Sequence, residues 1–226
     1  MSDNPILASW SGPHGGAPDF SAIRADLFPA ALDEAMARYR AEIAAIAADP
    51  APPNFANTLE AMERAGQDYR QATVLMSIYN STLSDPAMQK VQREAAPKMA
   101  AFRDEIFHNR ALFDRIRAVY EAREMSGLTG EQQRLAYVIH NRFARQGAAL
   151  ADAQKHRLAE INQRLATLYT AFSQNILADE ESDALDLADQ ADLAGLPDDL
   201  IAAAAAAAKQ RGKPGAWAIA NTRSMM

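Results

Sequence analysis

Four histidines, at positions 14, 108, 140 and 156, and 29 acidic side chains are what this 226-residue chain offers for metal or acid–base chemistry. A helical zinc site of the H-E-x-x-H kind sets two imidazoles one turn apart, with a glutamate between them as general base. Here His14 is followed by Gly, His108 and His140 by Asn, and His156 by Arg, so that motif is absent. Glu105-Ile106-Phe107-His108 has the E-x-x-H spacing of di-iron bundles. Such a site needs two of these motifs and two further glutamates, and no other histidine has Glu three residues before it. Asp152, His156 and Glu160 stand at four-residue steps, which places them on one face of a helix. A metal can use such a face, but with Lys155 and Arg157 alongside, a solvated charged surface is the simpler reading.

Covalent chemistry finds no better footing. With no cysteine in the chain, a disulfide scaffold, thiolate zinc sites, iron–sulfur ligation and a cysteine nucleophile are all excluded. There is no G-x-S-x-G elbow and no glycine-rich phosphate loop; the Gly12–Gly16 stretch precedes no strand–helix unit. Arg134, Arg142, Arg145 and Arg164 can line a groove that holds peptide carboxylates, with ordinary helix-surface charge as the alternative. The residues by themselves assign no catalytic, cofactor-binding or metal position.

The elements that would position these side chains are helices. The chain holds 50 alanines against 10 glycines and 11 prolines, a composition that favours helix. Residues 1–24, rich in Pro and Gly, read as an irregular arm. Leu32, Met36, Tyr39, Ile43 and Ile46 recur at three- and four-residue steps, one face of a helix, which Asp49-Pro50-Ala51-Pro52-Pro53 stops. The next helix is expected to open with Asn57 as its cap and Glu60 three residues on. It carries the stripe Leu59, Met62, Gly66, Tyr69, Thr73 and Met76. Ser84 is expected to cap a helix that starts at Pro86 and kinks or breaks at Pro97. Leu112, Ile116, Val119 and Tyr120 mark a short helix. Thr129 and Gln132 form a capping box for another, ended by Gly147. The strongest periodicity, Leu158, Ile161, Leu165, Leu168 and Phe172, predicts a helix over about 150–177, ~40 Å long. Its single apolar stripe casts it as the spine of a bundle.

Nine of the acids lie between Asp179 and Asp199, with no base between Arg164 and Lys209. The rest of the chain is close to neutral and shows no clustered positive footprint for nucleic acid. Pro197-Asp198-Asp199 opens a helix over the alanine run, with Lys209 and Arg211 at its end and Gly212 closing it. Trp217-Ala218-Ile219-Ala220 alternates like a strand. The longest apolar run, Leu200–Ala208, is far short of the ~20 residues that span a bilayer, and no secretory signal is visible. A cytoplasmic protein with no membrane partner is expected. The chain ends at Met225-Met226 just after entering a new apolar element, as a piece of a longer protein would.

Several blocks, in order along the chain, resemble one family. Pro53 through Gly66, with Asn54-Phe55-Ala56-Asn57-Thr58-Leu59 and Glu63, is similar to a block of the thimet-type zinc oligopeptidases, closest to bacterial peptidyl-dipeptidases and oligopeptidase A. Arg142-Phe143-Ala144-Arg145-Gln146-Gly147-Ala148-Ala149-Leu150 resembles their F-x-R-x-G-A-x-L segment. Lys155 through Phe172-Ser173-Gln174-Asn175 resembles the long helix that follows it. Asp192-Leu193-Ala194-Gly195-Leu196-Pro197 matches the L-x-G-L-P turn, and Asn4-Pro5-Ile6-Leu7 and Asn221-Thr222 fit as well. Phe102 stands where relatives often carry histidine.

The resemblance implies a mainly α fold: a multi-helix bundle with long antiparallel helices and a small extended or β element near the C-terminus. On this reading residues 1–24 are the arm, 25–178 the bundle, and 179–226 an acidic loop, an Ala-rich helix and the start of a strand leading into a catalytic lobe that the chain lacks. The implied role is the N-terminal substrate-channel domain of a zinc metallopeptidase that hydrolyses short oligopeptides and releases C-terminal dipeptides. Zinc belongs to the full-length enzyme and no cofactor to this chain, which alone is expected to be inactive. Its partners would be short oligopeptides, through the missing lobe, and a second copy of the isolated chain, through the lobe-facing surface. The alternative is a free-standing helical module that binds a peptide or protein without catalysis. A reading frame continuing into H-E-x-x-H would separate the two.

Overall fold

The computed structural model describes residues 4–11, 13 and 16–220. His14, Asn221-Thr222, Met225 and Met226 lie outside them, as does most of the Gly12–Gly16 stretch. The fold is mainly helical, with a two-stranded sheet near the C-terminus. The chain divides into two units, Met1–Leu168 and Tyr169–Met226.

In the first unit α1 (Phe28–Ala47) buries the expected stripe, with Leu32, Met36 and Ile43 nearly free of solvent. It packs against α3 (Gln67–Thr82) and α4 (Pro86–Phe107). Between α1 and α3 comes a short helix, α2 (Ala61–Arg64), entered through a π-helical turn over Phe55–Glu60. Its cap is Asn54, not Asn57. Pro52 and Pro53 hold the chain extended up to Asn54, whose side chain accepts from the Asn57 amide at 2.9 Å while the Asn57 side chain accepts from the Asn54 amide at 2.8 Å. Asn57 thus closes the box from inside the helix. The single stripe expected through Gly66 is broken there. Gly66 adopts φ +73°, and a Cβ on it would come within 2.8 Å of the Tyr39 ring, so close approach to α1 sets the position of the break.

Asp85, rather than Ser84, caps α4, accepting from the Met88 amide at 2.7 Å. The helix runs on past Pro97 without a break. Proline removes one ladder bond, while Met88, Val91, Ala95 and Phe102, buried on both sides of it, hold the two halves in one core. Two clusters make up the interior. One gathers Phe28, Leu32, Leu75, Tyr79 and Met88, together with Ile6 and Ile23 from the N-terminal arm. Within that arm 3-10 turns form over Pro5–Leu7 and Phe20–Ala22, and Ile6 is fully buried. The other joins Ile43, Leu59 and Phe107 to α5 (Arg110–Ala122) and α6 (Gly130–Arg145) through Leu112, Ile116, Ile139 and Phe143. Each such side chain, fully buried, contributes roughly 1.5–3 kcal/mol. The Thr129/Gln132 capping box forms as read. Gly147 ends the turn after α6 at φ +95°.

The long helix α7 (Asp152–Ser182) starts in the first unit and ends in the second, five residues beyond the expected end. In the second unit β1 (Ala184–Leu187) pairs antiparallel with β2 (Trp217–Ala220), setting Leu187 opposite Trp217. The helix α8 (Asp198–Gln210) packs on β2, burying Ala204, Ala208 and Ala218. Arg211 donates to the Ser182 carbonyl, and Lys213 pairs with Asp186 across the connection.

Candidate functional site

The role expected of α7 is inverted. Its periodic residues form the predicted helix but not a buried spine. Ile161, Leu165, Leu168 and Phe172 are 38–64% exposed, as are Tyr169 and Ile176 beside them at 66% and 44%. The most buried described residues of α7 are polar, Lys155 and Thr170 at 8% exposed each, while Leu158, the first residue of the stripe, is half-buried beside Gly147. An apolar period sets which residues share a face, not which way that face points.

Polar contacts hold the helix from its other side. The Asn162 amide donates to Asp104 Oδ1 at 2.8 Å, and Lys155 Nζ donates to the His108 carbonyl at 3.2 Å. Asp104 is 3% exposed, and its second oxygen has no protein partner. Lys155 is therefore not part of a solvated charged face beside His156. Nothing in the local sequence singles out Asp104, because its partner lies 58 residues away.

The histidines are dispersed. His108 Nε2 meets the Gln146 carbonyl at 3.0 Å, while Glu105 pairs with Arg40 at 2.6 and 2.9 Å, so the E-x-x-H residues face different partners. His140 is sandwiched between Phe113 and Tyr120; burial holds its pKa below the usual histidine range. His156 Nδ1 lies 3.3 Å from Glu160, which also accepts from Arg157 at 2.9 Å, an exposed ion-pair cluster. Among the described residues no three His, Asp or Glu side chains converge on a point that could hold a metal. Asp152, His156 and Glu160 are not such a group.

Arg134, Arg142 and Arg145 share an exposed side of α6; Arg164 stands on α7. Arg134 lies 4.9 Å from the Tyr137 ring centre and Arg142 5.5 Å from that of Phe107. A cleft between α1 and α4, lined by Leu32, Met36, Val91, Ala95 and Met99, encloses about 30 Å³. That admits a water or two, far below the ~300 Å³ of a small-molecule site. None of the four arginines lines that cleft.

The chain is 38% identical to dipeptidyl carboxypeptidase of Escherichia coli (strain K12) over 216 residues, 96% of this chain and 32% of that protein. It is 25% identical to oligopeptidase A of Salmonella typhimurium over 94% of this chain and 30% of the relative. It is 22% identical to the probable cytosolic oligopeptidase A of Arabidopsis thaliana over 94% and 29%. No protein-family model matches the chain. It thus spans about a third of the length of these curated relatives. The resemblance carried by Pro53 through Gly66 and the later blocks holds: these homologues are peptidases. Among the described residues no helix is long and apolar enough to cross a membrane.

Proposed function

We propose, from the homology of this chain to about a third of dipeptidyl carboxypeptidase and oligopeptidase A, that it is the N-terminal helical substrate-channel domain of a zinc metallopeptidase. The enzyme would act in the cytoplasm on short oligopeptides and release dipeptides from their C-terminal ends. The single observation behind this reading is the 38% identity that runs through 96% of the chain. A match that extends over 216 residues supports a tie to a long stretch of such an enzyme, not to a shared short motif.

On this reading the chain contributes shape. Its helices wall one side of a channel that admits short, extended peptides. Zinc, when bound by a catalytic lobe, supplies a Lewis acid and an activated water. The described residues offer no ligand set for it, so no step is assigned to them.

Two measurements test the proposal. The 226-residue chain, incubated with zinc and a quenched fluorescent oligopeptide, is expected to show no turnover and no stoichiometric zinc retention after dialysis. Sequencing the gene beyond codon 226 is expected to reveal a continuous frame with an H-E-x-x-H segment. A stop codon after Met226, combined with measurable peptide binding, would replace the proposal with a free-standing binding module.

A further inference from the structure

Among the described methionines Met125 is 87% exposed and Met88 1%, while Met36 and Met76 are nearly alike at 7% and 8%. Met36 differs from Met76 in its surroundings. With Met99 on the facing helix it lines the cleft between α1 and α4, whose lining lies wholly within the first unit. A space of about 30 Å³ excludes a metabolite but admits a water or two, and hydrogen peroxide is no larger than that.

A thioether is what such a peroxide oxidises. A sulfur lone pair attacks one peroxide oxygen, so that an S–O bond forms as the O–O bond breaks. The sulfur gives up an electron pair to the peroxide. The departing hydroxide takes the proton left on the transferred oxygen and leaves as water, with methionine sulfoxide as the other product.

The cleft makes that product disruptive. Oxidation turns a flexible apolar side chain into a polar one whose oxygen needs a donor. The charged residues of the cleft are Asp33, Glu94 and Lys98. The two carboxylates only accept, and Lys98 already pairs with Asp33 at 3.5 Å. A sulfoxide on Met36, a member of the first core cluster, must therefore stay unsatisfied, draw Lys98 from Asp33, or leave the cluster. The helix α4 is already short of a ladder bond here, because Pro97, two residues before Met99, has no N–H to donate.

We propose that Met36 and Met99 form an oxidation site for small peroxides, and that their conversion to sulfoxides loosens α4 from α1. The proposal is independent of the peptidase reading.

Peptide mass mapping of the 226-residue chain during exposure to hydrogen peroxide tests the site. Met125 is expected to gain an oxygen first, Met36 and Met99 next, and Met76 and Met88 last. Exposure by itself gives Met36 and Met76 equal rates, so equal rates, or a slower Met36, would overturn the proposal. Urea unfolding tests the consequence. Once Met36 and Met99 are converted, the midpoint is expected to fall. A chain carrying both Met36→Leu and Met99→Leu, swaps that nearly conserve volume, is expected to keep its midpoint under the same exposure. An unchanged midpoint in the oxidised wild type, or an equal loss in the double variant, contradicts the proposal.

Discussion

The imidazole of His140 lies flat on the ring of Tyr120, their centroids 4.2 Å apart and their planes 8° from parallel. Phe113 covers the other face at 5.5 Å, and the buried Nδ1 has no protein partner. Burial pushes the pKa of His140 down. The unfolded chain, titrating near the ordinary ~6.5, therefore takes up a proton that the folded chain resists. Stability is full above that value, falls as pH drops through it, and levels off below the depressed folded pKa. Urea unfolding midpoints at about pH 7.5 and 5 are expected to differ more for wild type than for His140→Phe. Equal slopes would show that the stack does not govern this range.

Asn162 and Asp104 join α7 to α4 through one buried hydrogen bond at 2.8 Å. Removing the amide leaves both Asp104 oxygens without a protein donor. Asn162→Ala is expected to cost about 1–3 kcal/mol, the usual penalty for stranding a buried polar group. A double-mutant cycle with Asp104→Ala should recover part of that loss, because the pair is then removed together.

Gly66→Ala forces a side chain into left-handed backbone, which costs about 1–2 kcal/mol, and into the Tyr39 ring 2.8 Å away. Denaturant unfolding should report a loss above that range. A Tyr39→Ala background is expected to relieve only the excess, since the backbone conformation remains.

Arg115, 6% exposed, donates to the Asp49 and Ala51 carbonyls at 2.7 and 3.1 Å and pairs with the Asp49 carboxylate at 3.3 Å. It fastens the proline-rich link after α1 to α5. Lysine lacks the planar fork that reaches several acceptors at once. Arg115→Lys is therefore expected to lower stability by at least about 1 kcal/mol and to quicken limited proteolysis near residues 49–53.

Local chemistry was enough to place most of the helices. The Thr129/Gln132 box, the stop at Asp49-Pro50, the start at Pro197-Asp198 and the Trp217–Ala220 strand all depend on groups within a few residues of one another. The peptidase homology was legible for the same reason, since its blocks are contiguous runs such as Pro53 through Gly66. Caps were harder to read. Ser84 and Asp85 are both good capping residues, and only the backbone geometry around Pro86 selects Asp85.

What tertiary structure alone decided involves partners far apart in the chain. Tyr39 on α1 sets the break at Gly66, and Asn162 reaches Asp104 across 58 residues. The long helix shows the division most sharply. The order of apolar residues along α7 determined that Ile161, Leu165, Leu168 and Phe172 would share a face. That face stays open because Asp104 and the His108 carbonyl hold Asn162 and Lys155, so polar contacts to distant residues turned the stripe outward.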